Sequence, residues 1–274
     1  MKSNKNQLLA LAAVFLSACA TSGDSVPDSA FPSLNAESLQ VCEPLQKYDF
    51  AFTSSADGDN EIYLYRAQTA AIIKVTDDEA DNHWATWSPD GLMLAYQSTR
   101  SEQRDIFIKV MPDGEAVDMS QNDEQDLVPT WSPNGNYIVF YSSRDVTWPG
   151  TGPIGGHLYV MRVQGSVLGR IQTEPFASPT MIAWSPDSST LFYARYGAGR
   201  EGIYSLDLKS GDALWTQTLK QGNPTTLVSV NGVTVAYGGN SVAAYEAARG
   251  AQLWSKTVKP IKGAEAADLF VIDS

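Results

Sequence analysis

One five-residue phrase recurs along this chain. Trp87-Ser88-Pro89-Asp90-Gly91 returns as Trp131-Ser132-Pro133-Asn134-Gly135, then as Trp184-Ser185-Pro186-Asp187-Ser188, at spacings of 44 and 53 residues. The residue chemistry reads as a turn. Pro fixes φ, Asp or Asn bonds nearby backbone, and Gly accepts a positive φ. The tryptophan before it ends one strand, and the turn feeds the next antiparallel strand. Trp87, Pro89, Gly91, Trp131, Pro133, Gly135, Trp184 and Pro186 are therefore structural positions, and Ser88, Ser132 and Ser185 recur because turns recur.

An alternating apolar strand follows each motif: Leu92 to Gln97, Tyr137 to Tyr141, Thr190 to Ala194. A second strand comes next: Asp105 to Val110, His157 to Met161, Gly202 to Leu206. An earlier copy lacks the opening motif but keeps the strands Phe50 to Ser54 and Glu61 to Tyr65. No stretch holds a helical period for three turns. Short strands repeating at about 40 to 45 residues predict an all-β chain, a β-propeller of four-stranded antiparallel blades. Five blades are counted, with middle strands beginning near Phe50, Leu92, Tyr137, Thr190 and Val233. The chain begins with three outer strands, and Asp268 to Ile272 matches an inner one. Pairing the two ends completes a blade and removes two sheet edges.

The three Trp-Ser-Pro motifs, with Ile-Tyr or Leu-Tyr pairs after them, resemble the TolB-type β-propeller repeat over about residues 48 to 210. Gly211-Asp212-Ala213-Leu214-Trp215 and Gly250-Ala251-Gln252-Leu253-Trp254, 39 residues apart, resemble quinoprotein-type repeats instead. Both are four-stranded blade units, so the architecture is common to them. TolB-type propellers have six blades, which leaves six as the count if a C-terminal blade is missing. The resemblance implies a role in envelope integrity or transport, and the quinoprotein-like repeats resemble scaffold lipoproteins of outer-membrane assembly.

The N-terminus carries a different signal. Lys2 and Lys5 precede an unbroken apolar run from Leu8 to Leu16, too short to span a bilayer and laid out as an export signal. Leu16-Ser17-Ala18-Cys19 resembles a bacterial lipobox, which implies cleavage before Cys19 and lipid attachment (palmitate among the acyl chains) on it. Ala20 follows where inner-membrane lipoproteins often carry Asp, which favours the periplasmic side of the outer membrane. The expected organisation is a signal at 1–18, a lipid-bearing cysteine and solvated tether at 19–40, and the propeller at 41–274. With Cys19 lipidated, Cys42 has no intramolecular partner; it is either a small buried side chain or one half of an intermolecular disulfide.

Hydrophobic residues at 43% against charged residues at 18% allow a sizeable core and argue against global disorder. The net charge of −12 repels phosphate backbones, which argues against nucleic-acid partners and favours basic ones. Reactive constellations are weak. Gly150 to Gly155 matches a dinucleotide fingerprint by letters but contains Pro153 and opens no helix. No Gly-x-Ser-x-Gly or phosphate loop with Lys is present. The two histidines, His83 and His157, are too few for the lyase sites of related propellers, and His83 beside Asp81 is at most half a metal site. Asp57, Asp59 and Glu61 suggest a calcium loop, but Ile62 stands where such a loop needs Gly. No cofactor, metal or catalytic residue is expected.

One pattern survives. Loops entering the inner strands share a propeller face, and two are acidic: Asp77, Asp78, Glu79 and Asp81, then Asp123, Glu124 and Asp126. The insertion in the third blade opens on the same face and carries Trp148, an aromatic anchor beside charge. The expectation is a non-enzymatic, membrane-tethered interaction scaffold that docks an envelope protein through these residues. The alternative is a carbohydrate-binding or carbohydrate-active propeller, for which two carboxylates must face each other across the scissile bond.

Overall fold

The computed structural model describes residues 49–56, 58–145, 155–164, 166–171, 181–195, 201–218, 224–238 and 241–257. Every regular element among them is a strand, and none of them forms a helix long and apolar enough to cross a membrane. Blade 1 holds β1 (Phe50–Ser54), β2 (Glu61–Arg66) and β3 (Ala71–Lys74). Blade 2 holds β4 (Asn82–Trp87), β5 (Met93–Ser101), β6 (Gln103–Val110) and β7 (Ala116–Asp118). Blade 3 holds β8 (Asp126–Trp131), β9 (Tyr137–Ser142), β10 (His157–Arg162) and β11 (Ser166–Arg170). Blade 4 holds β12 (Ile182–Trp184), β13 (Thr190–Arg195), β14 (Gly202–Asp207) and β15 (Ala213–Thr218). Blade 5 holds β16 (Pro224–Val230), β17 (Val233–Gly238), β18 (Ser241–Glu246) and β19 (Gln252–Thr257). All pairings are antiparallel meanders in chain order, which makes a five-bladed β-propeller.

Among the described residues the first blade has three strands where the others have four. Its expected inner strand, Asp268 to Ile272, lies outside the described residues, as do Cys19, the tether, Cys42 and Trp148.

The recurring turn forms as its chemistry dictates. In blade 2 the Ser88 hydroxyl donates to Asp90 Oδ1 at 2.5 Å and accepts from Met93 N at 2.9 Å, while Leu92 N donates to Asp90 at 3.0 Å. Blade 3 repeats this through Ser132, Asn134 and Tyr137, and blade 4 through Ser185, Asp187 and Thr190. Gly91 and Gly135 sit at φ 73°, and Ser188 takes the same place at 62°. The three serines are buried and engaged, which fits structure and not nucleophilic chemistry.

The core lies between blades, because each sheet alternates its apolar side chains between its two neighbours. Ile62 and Leu64 of blade 1 meet Trp87, Leu94, Tyr96 and Phe107 of blade 2. Ile106 and Ile108 meet Trp131, Ile138 and Phe140; Tyr141 and Leu158 meet Trp184 and Tyr193; Phe192 and Ile203 meet Leu227 and Tyr245. The motif tryptophans are thus wedges at the blade junctions. On blade 1, Phe52, Tyr63 and Tyr65 face away from blade 2 and are buried, with Phe52 stacked on Tyr63 and Phe50 on Tyr65. That second apolar face is what a neighbour on the other side of the ring would cover.

Candidate functional site

Strands alternate in direction, so every second connection returns to the same face. The β1–β2, β3–β4, β5–β6, β7–β8 and β9–β10 connections share one, and polar side chains tie them together in order. Asn60 donates its side-chain amide to Asp81 Oδ1 at 2.7 Å, and Asp81 N donates to Thr99 Oγ1 at 2.9 Å. Arg100 reaches back to Asp78 at 2.7 Å. Gln125 donates to Gln103 at 2.6 Å, and its backbone N–H donates to Ser143 Oγ at 3.0 Å. Ser143 donates to Glu124 at 3.1 Å, and Arg144 pairs with Asp126 at 2.8 Å. The two arginines occupy matching places, each over an aromatic ring: Arg100 on Phe107 at 4.6 Å and Arg144 on Tyr159 at 4.9 Å.

This network sorts the acidic residues. Asp78 and Asp81 are half-buried and committed to Arg100 and Asn60. The hydrogen bonds from Asn60 hold the Asp81 carboxyl below the usual carboxylate range. Asp126, expected on the rim, is fully buried and bonded to Arg144 and Asn122. It opens strand β8, where the period of two turns it inward between blades. Burial pushes its carboxyl above the usual range, against the pull of Ser142 and Arg144. Asp77 is exposed and pairs with Lys74 at 2.6 Å, while Glu79, Asp123 and Glu124 face solvent. Of the acids expected at this face, Asp77, Glu79, Asp123 and Glu124 are accessible, and among the described residues the exposed Glu102 and Asp145 join them there.

Glu61 is not a loop ligand either. It is fully buried, accepts from Thr76, from Asp78 N at 2.8 Å and from Asn82 at 2.9 Å, and anchors the β3–β4 loop from below. Asp105 does the same in the next blade, accepting from Ser120 at 2.8 Å and Ser101 at 2.5 Å. His83 is half-buried, and desolvation holds its imidazole below the usual value. Among the described residues no three His, Cys, Asp or Glu side chains gather as a metal set.

Trp84 is the residue that motif counting passes over. It sits in β4, the inner strand of blade 2, at a bulge between His83 and Thr86, with φ 55°. A bulky residue in the left-handed region is an outlier, and such strain clusters where a side chain has been re-aimed. The indole is 46% exposed on a strand that borders the axial channel. Val128 repeats the bulge in β8 at φ 54°, its N–H held by Gln97 Oε1 at 3.3 Å. The break in alternation at His83-Trp84-Ala85 is the only sequence trace of this feature.

Two family models match the chain. Residues 46–148 match the TolB beta propeller domain, and residues 159–270 match the outer membrane protein assembly factor BamB. No curated protein matches at a significant level. Among solved structures, TolB from Acinetobacter baumannii is 17% identical with a TM-score of 0.55, over 74% of this chain and 50% of that one. The chain thus spans half the length of that structure. A chain of a nidogen/laminin complex is 11% identical with a TM-score of 0.61, over 81% of this chain and 80% of that one. A gluconolactonase from Xanthomonas campestris is 17% identical with a TM-score of 0.54, over 73% and 69%. At such identities the likeness is one of fold. The chain joins TolB-type propeller repeats over residues 46–148 to BamB-type repeats over residues 159–270 within one five-bladed β-propeller.

Proposed function

We propose that this protein is a non-enzymatic docking scaffold of the bacterial envelope, tethered by lipid on Cys19 to the periplasmic side of the outer membrane. The observation that carries the reading is the chain of hydrogen bonds and ion pairs from Asn60 to Arg144, which ties described residues of four loops and the start of the β9–β10 connection into one preorganised surface. Binding to a surface already ordered costs less side-chain and loop entropy. The exposed acids Asp77, Glu79, Asp123 and Glu124 steer a basic partner, and Trp148 in the third-blade insertion supplies buried contact. Asp78, Asp81 and Asp126 serve by holding the loops.

The test is capture from cell envelopes with purified protein as bait, followed by binding kinetics on the partner. Trp148→Ala should weaken binding by roughly thirtyfold, mostly through the off-rate. Neutralising Glu79, Asp123 and Glu124 should lower the on-rate and flatten its salt dependence. Wild-type kinetics in both variants would place the docking surface elsewhere.

One observation favours a second reading. Trp84 presents an exposed indole on the channel wall, the kind of aromatic on which a sugar ring can stack, and the gluconolactonase shares this fold. A titration of intrinsic fluorescence with aldonolactones and neutral oligosaccharides separates the two. Saturable quenching that is lost in Trp84→Ala would favour the carbohydrate reading over docking.

A further inference from the structure

The outer strands of the blades hold one equivalent position, defined by pairing. In blade 4 it is Trp215, opposite Ser205; in blade 5 it is Trp254, opposite Ala244; in blade 3 it is Gly169, opposite Val160. A bulge follows in all three, at Ser205/Leu206, Ala244/Tyr245 and Val160/Met161. Trp215 shows what the position does. Its ring lies between Phe192 and Tyr245 and over the β18–β19 turn of the next blade, and its Nε1–H donates to the Ala247 carbonyl at 2.8 Å. Gly250 in that turn sits at φ 68°, and a Cβ on it would stand 2.5 Å from the indole.

Blade 4 has the same turn. Gly211 N donates to the Asp207 carbonyl at 2.8 Å and Asp207 N to the Asp212 carbonyl at 2.9 Å; Gly250, Glu246 and Ala251 repeat both bonds at 2.8 Å. Gly211 has φ 77°, and Leu208 stands where Ala247 does. The residue that would fill this turn from blade 3 is Gly169, and a Cβ there meets nothing within 4 Å. The result is an open groove of about 190 Å³ whose floor is Gly169, Leu208 and Gly211 and whose walls include Val160 and Ile171 together with the polar Arg170, Lys209 and Ser210. The groove between blades 1 and 2, about 300 Å³, is built differently, with Lys74, Lys109 and Pro112 and no left-handed glycine against it.

We infer that the groove between blades 3 and 4 is a recognition site for the indole of a tryptophan side chain supplied by another protein. The ring lies over the Gly211 turn beside Gly169, the indole N–H donates to the Leu208 carbonyl, the half-buried Val160 meets its apolar edge, and Arg170 and Lys209 flank the opening. The next blade junction is the template, since there the chain fills the same turn with its own Trp215. The site lies on the rim, apart from the acidic loops, and does not depend on them.

The test is a backbone-amide NMR titration of the full chain with N-acetyl-L-tryptophanamide and with a capped peptide of residues 213–218. Saturable shifts confined to Leu208 to Gly211, Gly169 and Ile171 are expected, with none from N-acetyl-leucinamide. Gly211→Ala places a Cβ under the ring and should weaken binding about tenfold or more. The fold should tolerate it, because Ala70 already occupies a left-handed turn at φ 50°. No shifts in this region, or shifts of equal affinity in Gly211→Ala, would overturn the assignment. Self-association of the untreated chain that Trp254→Ala abolishes, with loss of the peptide response at high protein concentration, would also overturn it by giving the groove to a second copy.

Discussion

Trp215 rests on Gly250 so closely that the glycine has no room for a methyl group: a Cβ there would lie 2.5 Å from the indole. Gln217 fastens the same turn by donating to the Gly250 carbonyl at 2.7 Å. Gly250→Ala should therefore force the ring out of place and destabilise the domain by about 1 to 3 kcal/mol. Thermal or urea unfolding measures this, with Gly232→Ala as a control at φ 77° in open space, where only backbone strain applies. Equal losses in the two variants would show that the indole yields without cost.

The acidic residues divide by experiment as they do by geometry. Arg144→Ala leaves Asp126 buried without its cation, and breaking a buried pair costs about 3 to 5 kcal/mol. Asp123→Asn, on the exposed loop, should change stability by no more than about 0.5 kcal/mol. Urea midpoints of the two variants check the contrast. Comparable losses would mean that the buried pair is not what holds the β7–β8 loop.

The repeated turns predict a response to acid. Hydrogen bonds from Ser88 and Ser185 hold Asp90 and Asp187 below the usual carboxylate range. With folded values below unfolded ones, the unfolded chain takes up protons first. The stability from these groups is complete above about pH 4 and is lost as pH falls through the folded values. Both groups are mostly exposed, so the effect is small. Asn134 makes the same bonds without titrating. An Asp90→Asn, Asp187→Asn double variant should lose less stability than the wild type between about pH 5 and pH 3. Identical losses in urea titrations would contradict this.

Ring closure predicts a truncation phenotype. Among the described residues blade 1 has three strands, and it carries a second buried apolar face at Phe52, Tyr63 and Tyr65. We propose that Asp268 to Ile272 adds its inner strand. Removing residues 268–274 should lower the melting temperature and promote aggregation through the freed edge. An unchanged melting curve would show that the first blade is completed by another segment.

How legible the molecule was follows from how local each feature is. The Trp-Ser-Pro turns could be read because their bonds run between Ser88, Asp90 and Met93, within five residues. Strand phases followed from alternation, and the three-stranded start followed from the missing first motif. The working face was harder. Sequence shows that Asp123 and Asp126 carry charge, but only the start of β8 at Asp126 turns one inward toward Arg144, whose partnership spans 18 residues. Trp84 and Gly169 escaped for a related reason. Each depends on a bulge, and a bulge shifts register without leaving a residue type that announces it.

The docking account is tested most directly by photocrosslinking in living cells, with a photoreactive amino acid at Asp123 on the acidic face and, separately, at Asn231 on the opposite one. The account predicts a discrete adduct with an envelope protein from position 123 and none from 231. It further predicts loss of that adduct, together with membrane association, in a Cys19→Ser background. Adducts from position 231 alone, or unchanged adducts and membrane association in Cys19→Ser, would contradict it.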